Sequence, residues 1–165
     1  MIAAPELEIA VLVLGMVILM VEVFATEIDK RFFAFAGIAG LAIVLVATFF
    51  VVPTVPVDQV AGFWNFYTAD SLSIFFKQFA LLTTILVLIM MIDYAPVVGS
   101  SLAKLKIHSS LGEFFALPIF TCAGLMYMAS AIDFVFIFIS LELVTISFYV
   151  LVSFTRRNPT SWKRE

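Results

Sequence analysis

Five apolar stretches, each long enough to cross a lipid bilayer as a helix, constrain this chain more than any other feature. At a rise of about 1.5 Å per residue, roughly 20 helical residues span a hydrocarbon core about 30 Å thick. The stretches cover residues 7–25, 32–52, 71–92, 113–130 and 133–154. Lipid offers no hydrogen bonds, so a backbone inside it must satisfy its own polar groups, and helices do this within one segment. The sequence therefore predicts an all-α, polytopic membrane protein with five transmembrane helices. With 64% hydrophobic and only 13% charged residues, the chain lacks the polar surface a water-soluble domain needs.

The breaks between stretches are chemically distinct. Glu27-Ile28-Asp29-Lys30-Arg31 separates the first two, and Pro53 and Pro56 end the second, because proline lacks a backbone donor. Residues 94–112, with Pro96, Gly99 and two lysines, read as a loop. Only Ala131 and Ile132 separate the fourth span from the fifth, which predicts a tight antiparallel hairpin. Pro118 is expected to kink the fourth span. Ala36 and Gly40 form a small-residue pair that lets a neighbouring helix approach closely.

Charge distribution sets an expected orientation. Of the nine Lys and Arg residues, only Lys77 lies inside an apolar run. Lys30 and Arg31, Lys104 and Lys106, and Arg156, Arg157, Lys163 and Arg164 all fall on one side of a five-span chain. Basic loops stay cytoplasmic, which places the N-terminus outside and the C-terminus in the cytoplasm. A net charge of -3 gives no case for nucleic-acid binding. Cys122 is the one cysteine, so no intrachain disulfide and no Cys/His metal spacing is available. Met1 to Glu8 carry two acids and no base, the reverse of a signal-peptide start. Phe63, Trp64, Phe66 and Tyr67 suit the headgroup zone as interfacial anchors.

Ionisable residues within the spans are the functional candidates, because each is costly in lipid. Glu142 is foremost. Nine residues beyond Asp133, it lies about 13.5 Å deep, near the bilayer midplane. Thr145 and Tyr149 share its helical face and make a short polar stripe, which should point into protein or an internal water file. Lys77 lies about 9 Å below Ser71 and either snorkels outward or pairs with a buried acid, Glu142 being close to it in depth. A buried acid beside a lysine can load and release a proton. Glu22 reads as an interfacial carboxylate close to Lys30 and Arg31. Asp70, Glu113 and Asp133 open helices and suit N-caps, Glu113 also standing where a proton path would begin. Ser71, Ser73, Thr83 and Thr84 are expected to bond back to their own helix. His108 reads as a solvated loop residue. No nucleophile–base pair and no phosphate-cradling glycine loop is visible.

Gly112-Glu113-Phe114-Phe115-Ala116-Leu117, then 126–133 and Leu141-Glu142-Leu143-Val144-Thr145-Ile146-Ser147-Phe148-Tyr149, together resemble subunit N of proton-pumping NADH-quinone oxidoreductase, respiratory complex I. Asp70 through Phe76, with Asp93-Tyr94, is similar to the same family. The resemblance covers residues 1–157, an N-terminal membrane domain, and leaves 158–165 as a divergent polar tail. It implies that Glu142 pairs with a lysine on a later helix in one of several proton half-channels; the residue reading adds Lys77 and Glu113 as lesser proton-transfer candidates and Thr145 and Tyr149 as a supporting polar stripe. The resemblance implies no cofactor on this chain, with NADH, FMN, iron-sulfur clusters and quinone in other subunits. The chain would not be catalytic alone. Its expected place is the cell inner membrane, as a multi-pass subunit among other membrane-arm subunits and lipid. Family members have many more spans, which implies a truncated or split reading frame, a second chain supplying the missing helices. The alternatives are a subunit of a multi-subunit cation/proton antiporter, related to the same superfamily, and a non-transporting membrane scaffold.

Overall fold

A computed structural model describes residues 4–24, 30–51, 66–104 and 111–156. Among them the chain forms five helices and no β-strand: α1 (Ala4–Phe24), α2 (Lys30–Thr48), α3 (Ser71–Lys104), α4 (Leu111–Ser130) and α5 (Phe134–Arg156). The predicted all-helical architecture is thus observed. Four helices carry apolar stretches of 19 to 25 residues, long enough to cross a membrane: α1, α3, α4 and α5. The apolar part of α2, Phe32–Thr48, is shorter.

Two boundaries differ from expectation. α2 stops at Thr48, before Pro53 and Pro56, and the chain closes a turn with Phe50 N–H donating to Ala47 O at 3.0 Å. α3 does not end at Ile92 but runs on to Lys104, so much of 94–112 is helix rather than loop. A proline costs a helix the bond from its own nitrogen and leaves the rest of the ladder free to continue, so Pro96 did not terminate α3. Pro53, Pro56, Phe63, Trp64, His108 and the 158–165 tail lie outside the described residues.

α4 is the hub. It packs against all four other helices, and 56% of its apolar window is buried, against 11% for α5. Phe115, Ala116, Ile119, Cys122, Ala123 and Met126 of α4 are essentially closed off, meeting Val11 of α1, Leu41 of α2 and Leu81 and Leu88 of α3 in one apolar core. α4 continues through Pro118. Close approach depends on small residues. A Cβ on Gly124 would lie 2.7 Å from Val144 Cγ2 and 3.1 Å from the Ser140 backbone oxygen, so the α4–α5 hairpin is tight because that position is glycine. Gly40 does the same for α2, its missing Cβ leaving room for Leu14 of α1.

The hairpin turn is tied to the segment entering α3. Thr68 N–H donates to Ser130 O at 2.8 Å and Ile132 N–H donates to Phe66 O at 3.0 Å, pairing Tyr67 with Ala131 as an isolated antiparallel bridge. Asp70 caps α3 as expected, accepting the Ser73 N–H at 2.9 Å. Asp133 accepts the Val135 N–H at 2.9 Å and caps α5.

Candidate functional site

α1 turns one face inward through Glu8, Val11, Gly15, Ile18 and Glu22, all buried. Their alternating three- and four-residue spacing is that of a helix face packed along its length. α3 does likewise through Ser73, Lys77, Leu81, Thr84 and Leu88. Where the two faces meet, Lys77 Nζ lies 2.7 Å from Glu8 Oε1, and the two side chains are 1% and 0% exposed. Tyr67 completes the cluster. Its hydroxyl donates to Glu8 Oε1 at 2.8 Å and accepts from Lys77 Nζ at 2.9 Å, and the ammonium stands 5.0 Å from the phenol ring centroid.

Tyr67 is therefore turned toward the bundle. The cause is the Phe66–Ile132 and Thr68–Ser130 backbone bonds, which fix the segment against the α4–α5 turn. Phe66 packs on the Phe136 ring, 5.3 Å between centroids. Burial, with the Glu8 carboxylate beside it, holds the Tyr67 phenol above its ordinary range. The phenol stays protonated and can act as a donor.

Lys77 does not snorkel. The buried-acid alternative is the one observed, with Glu8 as its partner and not Glu142. Two charges removed from water together cost less than either alone, and the phenol bonds to both. Glu8 went unread in the sequence because the first span was started at residue 7, leaving Glu8 at its edge. α1 starts at Ala4, so Glu8 lies in the second turn. The signal was available: Glu8 and Glu22 fall on one face with Val11, Gly15 and Ile18.

Glu142 is exposed on α5, and Tyr149, two turns later, is 71% exposed. Thr145, between them, bonds back to the Leu141 carbonyl. The face that α5 packs on α4 carries Ser140, Val144 and Ser147 instead. Within this chain the Glu142–Thr145–Tyr149 stripe thus faces away from the bundle. Glu113 is exposed at the start of α4. The carboxylate that serves that helix end is Glu22, only 7% exposed, whose Oε1 accepts the Gly112 N–H. Glu22 thus caps the start of α4 across helices, while Glu113 is exposed on the same turn; the side chains of Lys30 and Arg31, expected beside Glu22, lie outside the described residues. A carboxylate at the start of α4 faces the positive end of the helix dipole. A Cβ at position 112 would meet the Glu22 carboxylate, so glycine there leaves that side chain room to reach the N–H.

The expected back-bonds are present. Ser73 donates to Asp70 O at 2.9 Å, Thr83 to Phe79 O at 2.9 Å and Thr84 to Ala80 O at 2.8 Å. Among the described residues no group of His, Cys, Asp or Glu could hold a metal ion. The arrangement sets an ammonium, a carboxylate and a phenol in mutual contact among apolar side chains.

No protein-family model matches the chain. Curated relatives do. NAD(P)H-quinone oxidoreductase subunit 2 of Trichormus variabilis is 33% identical over 158 residues, 95% of this chain and 28% of that protein. NADH-quinone oxidoreductase subunit N of Heliobacterium modesticaldum is 33% identical over 148 residues, 89% of this chain and 29% of that protein. Subunit N of Trichlorobacter lovleyi is 32% identical over 149 residues, 90% of this chain and 28% of that protein. The chain thus spans less than a third of the length of these relatives. Along about nine-tenths of its own length it is a homologue of the NADH-quinone oxidoreductase subunit N and NAD(P)H-quinone oxidoreductase subunit 2 family, matching their N-terminal part.

Proposed function

We propose that this chain serves as a membrane-arm component of a proton-pumping NADH-quinone oxidoreductase and supplies part of a proton half-channel coupled to quinone reduction. The observation that carries the reading is the lysine–carboxylate pair, at most 1% exposed, inside apolar helices of a subunit N homologue. Such a pair adds little to stability over a well-packed apolar core, so its retention calls for a role. Redox cofactors and quinone would belong to other subunits, and this chain would work with neighbouring membrane-arm subunits. Its place would be the inner membrane, crossed five times, with the N-terminus outside as the basic loops suggest.

Glu142 is proposed as a proton-transfer group, with Thr145 and Tyr149 beside it and Glu113 near a cytoplasmic uptake point. The outward aim of Glu142 supports a partner beyond α1–α5, because lipid cannot satisfy a carboxylate at that depth. A second chain or further helices would supply the cation.

The test is Glu142→Gln in the assembled complex in native membrane vesicles. Quinone reduction and proton uptake are measured on one preparation. The variant is expected to assemble and to lose most of its proton translocation. Unchanged translocation in a fully assembled complex would overturn the reading and favour a scaffold.

A further inference from the structure

The two oxygens of Glu8 are treated unequally. Oε1 receives both Lys77 and Tyr67, whereas Oε2 is equally buried and has no hydrogen-bond partner among the described residues. A buried carboxylate oxygen without a donor is costly, and sites that keep one call for an explanation. We propose that Glu8 is a proton-loading residue in its own right, taking its proton on Oε2 while Lys77 and Tyr67 hold Oε1.

The step is simple to balance. A proton arriving from solvent forms an O–H bond at Oε2, and the carboxylate becomes a neutral acid. The site moves from a neutral pair to a single positive charge on Lys77. Charge returns to zero when an N–H bond of Lys77 breaks and its proton forms an O–H bond on a water molecule that carries it to solvent. Glu8 then passes its own proton to the free amine and regains its carboxylate. No oxidant, reductant or metal takes part.

The surroundings favour this placement. Glu8 lies in the second turn of α1, at the end of the bundle where Tyr67 meets the α4–α5 turn. The groups facing it are Lys77 of α3, Tyr67 of the connecting segment, and Tyr127 and Ser130 of α4. Asp70 and Asp133 are exposed carboxylates at the same end, and the last turns of α2 carry no charge. The Tyr67 phenol spans Lys77 and Glu8 while its backbone is bridged to Ala131. It therefore fixes the pair with respect to the turn that leads into α5. In this role Tyr67 is a positioning residue.

The inference concerns residues other than Glu142 and can be tested without any transport measurement. The full chain is placed in lipid nanodiscs, and infrared difference spectra are recorded between high and low pH. A protonated-carboxyl C=O band is expected to grow as pH falls. Glu8→Gln should remove one component of that band, the one that also responds to Tyr67→Phe, whereas Asp133→Asn, at an exposed carboxyl, should leave that component in place. Tyr67→Phe removes a donor from Oε1 and should move that component to higher wavenumber, an effect that a purely structural tyrosine would not produce. If Glu8→Gln folds poorly, Tyr67→Phe alone decides the matter. A carboxyl band indifferent to both Glu8→Gln and Tyr67→Phe would overturn the proposal, whatever the outcome for proton translocation.

Discussion

Lys77→Met isolates the electrostatics of the cluster. The ammonium is 1% exposed and stands 2.7 Å from Glu8 Oε1, so its removal leaves a carboxylate with 0% exposure and one hydrogen bond, from Tyr67. Breaking a buried pair by deleting one partner costs about 3–5 kcal/mol. Glu8→Gln should cost a similar amount, since it strands the ammonium against a neutral amide. The combined variant behaves differently. With both charges gone, the site holds a thioether and an amide, and replacing a whole buried pair is often close to neutral. The double variant should therefore be more stable than either single one, giving a coupling of about 3 kcal/mol or more where distant sites would simply add. Unfolding of the full chain in detergent micelles, followed by helical circular dichroism for all four proteins of the cycle, reads this directly. Additive losses, or single variants within about 0.5 kcal/mol of the parent, would refute the view that these residues form a desolvated pair.

Gly124→Ala should loosen the α4–α5 hairpin by about 1–3 kcal/mol, because the new methyl meets Val144 and a fixed backbone oxygen. Gly40→Ala meets Leu14 side-chain atoms and no backbone, and should lose less in the same unfolding assay. Asp70→Ala should cost about 0.5–2 kcal/mol as a lost N-cap, and Asp70→Asn much less. Hydrogen bonds from Ser73, its backbone N–H first, hold the Asp70 carboxyl below its ordinary 3.8. The stability it contributes is thus complete above that value and fades as pH falls through the lower folded value. Comparing acid unfolding of Asp70→Asn with the parent checks the sign, since the amide variant should lack this part of the pH dependence.

The helices themselves were legible because lipid imposes a length on apolar runs and forces the backbone into helices. Asp70 and Asp133 were legible as caps because capping is local, set by a carboxylate a few residues from the N–H it receives. Pro96 misled, since one missing donor does not end a helix whose remaining bonds can form. The contact of Glu22 was not legible for a different reason. Its acceptor role depends on Gly112, 90 residues away, and no local pattern reports that contact. Glu8 was hidden by a boundary error of three residues at the start of α1.

Composition and the length of the apolar runs determined the class of this protein and its helix count, and short motifs around Glu113 and Glu142 carried the family resemblance, because each of those properties is written in runs of neighbouring residues. Partner choice was decided by the tertiary structure. Whether Lys77 met Glu142, Glu8 or water depended on which faces α1, α3 and α5 turned toward one another, and on how Tyr67 was held by the α4–α5 turn. Helix rise fixes the depth of a charge, but only packing fixes its azimuth. A buried charge responds to the atoms within hydrogen-bonding reach, whatever their distance along the chain.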